Sequence, residues 1–149
     1  MTAPPDAAAL SRQLRTLWGA VLAGGALVLA VMGGLAVSGE PSVPELAQPA
    51  FFGVAVLSLG GLVAALALMR TLEDPGSAPG QAAEPHTPVQ VQQRALLAIA
   101  ALDATVVIAG VAALLTGDVL ALAFGAPLFG FAAVFWPTEA RVARWLGRR

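Results

Sequence analysis

The sequence predicts an all-α integral membrane protein: a four-transmembrane-helix bundle of two antiparallel hairpins with a short C-terminal interfacial amphipathic helix. Three observations carry that prediction. Of 149 residues, 58% are hydrophobic and 11% charged, with a mean hydropathy of +0.79, a balance that excludes an ordinary soluble domain. Four apolar runs, residues 17–37, 50–69, 95–115 and 119–136, each approach the ~20 residues that a helix needs to cross a hydrocarbon core of ~30 Å. A closed barrel, the other spanning solution, would show short alternating segments, whereas these runs are apolar on every face. The third observation is where the arginines stand.

All eight basic residues are arginine, and none lies between the first and second runs or between the third and fourth. Arg12 and Arg15 precede the first run, Arg70 and Arg94 bracket the connection between the second and third, and Arg141, Arg144, Arg148 and Arg149 follow the fourth. The two remaining loops carry Glu40, Glu45 and Asp118. Basic flanks stay on the cytoplasmic side during insertion, so both termini and the middle loop are expected inside, with the chain multi-pass in a plasma (inner) membrane. The net charge of −1 conceals this asymmetry, because the acids are spread over both sides.

Taken in order, residues 1–9 have too few large apolar side chains to pack and are expected to be mobile. The first span covers about 14–38, its helix starting before the lipid because Leu10, Leu14 and Leu17 recur at helical spacing. The run is too long for the ~7–15 apolar residues of a signal peptide, so it is expected to be retained. Trp18, at its inner boundary, is expected to anchor at the headgroups. Ser38-Gly39-Glu40 and the prolines after it stop the helix, and the second span covers about 50–70. Residues 73–93 are rich in Pro and Gln and read as a flexible linker. The third span covers about 94–116, and only Thr116-Gly117-Asp118 separates it from the fourth, about 119–136, so these two are expected to pack as an antiparallel pair. Pro127 inside the fourth removes one backbone donor and should bend it, leaving a carbonyl without its usual partner.

Trp136 and Pro137 end the fourth span, and residues 138–147 form the C-terminal helix. Val142, Trp145 and Leu146 share one face of it while Arg141 and Arg144 lie on others. That pattern predicts Trp136, Trp145, Arg141 and Arg144 as further membrane-interface anchors. A weak repeat relates Arg15–Gly39 to Arg94–Gly117, each ending hydroxyl-Gly-acid, and pairs Gly24 with Asp103. In so small an alphabet such a match also arises by chance.

Helices are not driven together by water inside lipid, so small residues that allow close approach must hold the bundle. Candidate stripes are Ala20 with Gly24, and Ala26, Ala30 and Gly34, on the first span; Gly60 with Ala64 and Gly61 with Ala65 on the second; Thr105, Ala109 and Ala113 on the third; Ala121 with Gly125 and Ala126 with Gly130 on the fourth.

One residue inside the spans raises the question of chemistry. Asp103 stands nine residues beyond Arg94, about 13 Å into the membrane at ~1.5 Å per residue. An acid there costs roughly 3 kcal/mol on the insertion scale, which the surrounding Leu, Ile and Val offset. With no cation at that depth the neutral acid is favoured, and it both donates and accepts hydrogen bonds. Ser58, and backbone near Gly24-Gly25, are its candidate partners.

Helix 2, together with the four-helix plan and an acid in helix 3, is similar to the small ATP synthase assembly protein family called protein I. The similarity covers one helix, PAFFGVAVLSLGGLVAALALMR, and the topology. The family's Pro-Asn pair late in that helix, and its lysine after the acid, are here replaced by apolar residues, and their chemistry does not carry over.

There is no cysteine, and the single histidine, His86, has no second ligand at metal-binding spacing. Ser-His-Asp sets, paired carboxylates and phosphate-binding Gly loops are also lacking, so no enzyme, cofactor, metal site or nucleic-acid partner is expected. The expected function is that of a non-catalytic accessory, assembly or structural subunit. It would act through helix contacts with the lipid bilayer, other membrane subunits or further copies of itself. The alternative is a small oligomeric ion- or proton-coupled transporter built around Asp103.

Overall fold

The structure, a computed structural model, describes residues 6–73 and 86–147, and these are all-helical. Ala7–Ser38 forms α1, Ala47–Glu73 α2, Pro88–Thr116 α3, Ala126–Val134 α4 and Glu139–Trp145 α5. A 3-10 turn, Pro44–Leu46, leads into α2, and a 3-10 segment, Val119–Gly125, leads into α4. Three helices are long and apolar enough to cross a membrane, and there are four if the bent Val119–Trp145 stretch counts as one span.

Local chemistry sets the ends. Asp6 caps α1 by accepting from the Ala9 amide at 2.6 Å, so residues 7–9, expected to be mobile, are helical; residues 1–5 lie outside the described residues. Thr87 and Gln90 form a reciprocal capping box at 3.3 and 2.9 Å, and Pro88 follows at a position that needs no amide. Helix α3 therefore starts at Pro88, so the supposed linker is helical over 88–93, while residues 74–85 lie outside the described residues. A ring N–H of His86 donates to the Thr71 carbonyl at 2.8 Å, and Arg94 donates to the Thr71 hydroxyl at 3.2 Å, tying the start of α3 to the end of α2.

At the far end α3 stops on Gly117, whose φ of 72° is the left-handed conformation that a glycine adopts without strain. A Cβ there would also stand 3.3 Å from Pro41. The Val43 amide donates to Leu115, pinning the first loop to this turn. The fourth segment departs from the continuous 119–136 helix that the sequence suggests. Pro127 has no amide for Ala123, and that carbonyl instead accepts from Ala126 in a tighter 3-10 bond.

Helix α3 is the centre of the fold. It packs against α1, α2 and the 3-10 segment, while α1 and α2 scarcely touch one another. The first pair is thus not a packed hairpin, a correction to the two-hairpin plan; α1 and α2 take opposite flanks of α3, and the 3-10 segment closes the ring by touching both. Of the small-residue stripes, the structure uses Gly61 with Ala65, Thr105 with Ala109 and Ala113, and Ala121 with Gly125. Ala20, Gly24, Ala26, Ala30, Gly34, Gly60, Ala64, Ala126 and Gly130 face outward instead. On α1 the close contacts come from Gly25 and Gly33, against Leu128 and Leu122.

The densest core lies at the arginine-rich end. Leu10, Leu14 and Trp18 of α1, Met69 and Leu72 of α2, Val91 and Ala95 of α3, and Val142, Trp145 and Leu146 on and after α5 are buried together. The bend between α4 and α5 is 86°, and it folds α5 back onto α1 and α2. Trp18 at 0% and Trp145 at 1% exposure are therefore core residues and not headgroup anchors. The apolar face of α5 has found protein instead of lipid.

Packing at α2 and α3 yields a direct test. A Cβ on Gly61 would stand 3.0 Å from the Thr105 methyl and 3.1 Å from the Ala101 carbonyl, whereas one on Gly60 meets nothing within 4 Å. Gly61→Ala is expected to destabilise by about 1–3 kcal/mol through overpacking, and Gly60→Ala to be neutral, as read from unfolding midpoints in mild detergent.

Candidate functional site

Asp103 lies near the midpoint of α3, half-buried, on the side turned to α1. A methyl group on Gly25 would stand 3.6 Å from the Asp103 Oδ1 and 2.9 Å from a Leu128 methyl. The missing side chain at Gly25 makes room for Leu128, and the carboxyl lies beside it at ordinary contact distance. Of the expected neighbours, Gly24 is exposed with nothing within 4 Å of its Cβ position. One helical residue is a ~100° rotation, so Gly25 takes the place that the sequence assigned to Gly24.

Ser58 does not meet Asp103 either. The α3 residues against α2 are Ala101 and Thr105, on either side of Asp103 in sequence and about 200° round the helix from it. Ser58 is 3% exposed and donates to the Phe124 carbonyl at 3.0 Å. In the 3-10 pattern that carbonyl would accept from residue 127, which is proline. The hydroxyl on α2 thus satisfies the acceptor that Pro127 leaves open, and Phe51 stacks edge-on against Phe124 at 5.0 Å beside it.

The other hydroxyls of the spans are turned onto their own helices. Thr105 donates to Leu102 and Thr116 to Ala112, both at 2.7 Å. Among the described residues no side chain donates to Asp103, and the one ion pair is Arg141 with Glu73, at 3.4 Å. The carboxyl is held in place by packing alone. Chemically it offers a proton, a hydrogen bond or a negative charge at mid-membrane, with no nucleophile, base or second carboxylate beside it.

The predicted anchors separate. Trp18 and Trp145 are interior, Trp136 is half-buried against the same core, and Arg144 is exposed on α5. Arg141 is bound to the protein itself, donating to the Val134 and Trp136 carbonyls at the end of α4 and lying 5.7 Å from the Phe135 ring. Arg15 donates to the Pro137 carbonyl at 3.1 Å. Two arginines thereby satisfy the carbonyls exposed where the chain breaks. Sequence reasoning named the Gly24-Gly25 pair but singled out Gly24 and missed the Arg15 contact, and only the missing amide of Pro127 signalled the Phe124 carbonyl.

A further feature is an open groove of about 400 Å³ between α2 and α3, lined by Val54, Leu57, Val107 and Val111 among other apolar residues. It offers hydrocarbon contact and no polar chemistry. No family model, curated protein or solved structure matches the chain.

Ser58 and Pro127 should be energetically coupled. Ser58→Ala is expected to cost about 1–2 kcal/mol by leaving the Phe124 carbonyl unsatisfied. In a Pro127→Ala background, where residue 127 regains its amide, the same substitution should cost less than half as much. A double-mutant cycle of unfolding free energies in detergent measures the difference.

Proposed function

We propose that this protein is a non-catalytic accessory or assembly subunit of a bacterial-type inner membrane, spanning four times as a helical bundle with both termini in the cytoplasm. The observation that carries this reading is the state of the polar groups inside the spans. Ser58, Thr105 and Thr116 donate to backbone carbonyls of this chain, and Asp103 alone is half-exposed with no donor among the described residues. A translocation path needs several polar groups in succession through the membrane. A docking point needs one, at the surface.

Orientation follows from the arginines and is tested with thiols, since the chain has no cysteine of its own. In intact cells a membrane-impermeant maleimide should label Ser42→Cys and should label Glu139→Cys only after lysis; the reverse pattern would invert the topology.

The functional reading is tested by purifying wild type and Asp103→Asn in mild detergent and comparing their size and co-purifying proteins. Loss of a stoichiometric partner, with helix content unchanged, is the expected outcome. Proton flux into liposomes that wild type supports and Asp103→Asn abolishes would instead establish the transporter.

A further inference from the structure

We propose that the notch at Asp103, on the outward edge of α3 beside the exposed Ala100 and Ala104, seats a transmembrane helix of a different protein, one carrying an arginine or lysine at mid-membrane depth. The proposal rests on the accessory-subunit reading and adds the chemistry of the partner.

The argument begins with what Asp103 lacks. The eight arginines stand at residues 12, 15, 70, 94, 141, 144, 148 and 149, all outside the apolar runs, and there is no lysine. This chain has no cation to bring to the middle of α3. Its span hydroxyls are committed to backbone carbonyls, and Ser58 lies on the other side of α3. Alone at that depth the acid is favoured in its neutral form, and a basic side chain brought in by another helix would let it ionise against an opposite charge.

The surface beside it is shaped for a helix. Ala100, three residues before Asp103, and Ala104, one after it, are exposed on the outward side of the carboxyl, with Val107 a turn further on and 43% exposed. Methyl-sized side chains let a second backbone approach closely, which brings a long basic side chain within reach of the carboxyl. A second copy of this chain is the poorer occupant. It would bring another carboxylate to the same depth, and two such groups repel unless they share a proton.

The test uses wild-type protein in phosphatidylcholine vesicles, donor-labelled at Ser42→Cys. The probes are acceptor-labelled synthetic transmembrane peptides of leucine and alanine carrying one central lysine, leucine or aspartate. Energy transfer to the lysine peptide should exceed that to the leucine peptide by at least fivefold at equal peptide density. The excess should fall in Asp103→Asn, which keeps the shape of the notch, and vanish in Asp103→Leu, both variants retaining wild-type helix content. Equal transfer to the lysine and leucine peptides, or an excess that survives in Asp103→Leu, overturns the proposal. So does transfer between two labelled copies of the protein that Asp103→Leu abolishes, which would make the occupant a second copy. A co-purifying partner that depends on Asp103 but has no basic residue in its spans would overturn the basic-group assignment and leave the accessory reading standing.

Discussion

Helix α3 can be the common neighbour of α1, α2 and the 3-10 segment only because glycine and alanine let other backbones come close to it. At Gly61 the α2 backbone lies against the Ala101 carbonyl, and at Gly110 the α3 backbone lies against Met32 of α1. In lipid there is no solvent to drive such contacts, so close packing must supply the attraction directly. The cyclic order α1, α3, α2, 3-10 segment follows, as does the separation of α1 from α2. The position of Asp103 follows as well: α3 turns one face to α2 and another to α1, and Asp103 falls on the second, at the edge of the outward stripe.

The first three long apolar helices were legible because they depend on length and composition, which lipid constrains tightly. Helix ends were legible where a side chain or a glycine dictates them, as at Gly117 and Ser38. Rotation about each helix was not. Water sorts apolar side chains inward and polar ones outward, but in these runs both faces are apolar, so Gly24 and Gly25, or Gly60 and Gly61, look alike in sequence. Which member faces inward is decided by what the neighbouring helix presents, here Leu128 to Gly25 and Thr105 to Gly61. The same loss of periodicity explains why Ser58, set at the right depth by counting residues, was assigned to the wrong neighbour.

The arginine-rich end obeys a different logic. Here α1, α2 and α3 extend past the apolar runs, and the amphipathic pattern of α5 is answered by Leu10, Leu14, Trp18, Met69 and Leu72 in one core. An indole ring is a large apolar surface as well as an interfacial one, and its position in sequence does not distinguish the two uses. Two of the arginines serve the fold directly: Arg15 and Arg141 close the carbonyls of the α4–α5 break with hydrogen bonds. A lysine could supply the charge, but the forked guanidinium of Arg141 reaches two carbonyls and lies beside Glu73 from one position.

These two regions divide the work of the molecule. The arginine-rich end is a mixed core of aromatic and aliphatic side chains, clamped by two arginines and by the His86 and Arg94 contacts to Thr71, and it fixes those ends of α1, α2 and α3 relative to one another. Beyond it the helices are held by thin contacts at glycines and leave most of their surface outward. Asp103 lies further along α3, half-buried and beyond the arginine-rich end. A half-exposed polar point set apart from the clamped end is the arrangement that the proposed docking of another helix would use.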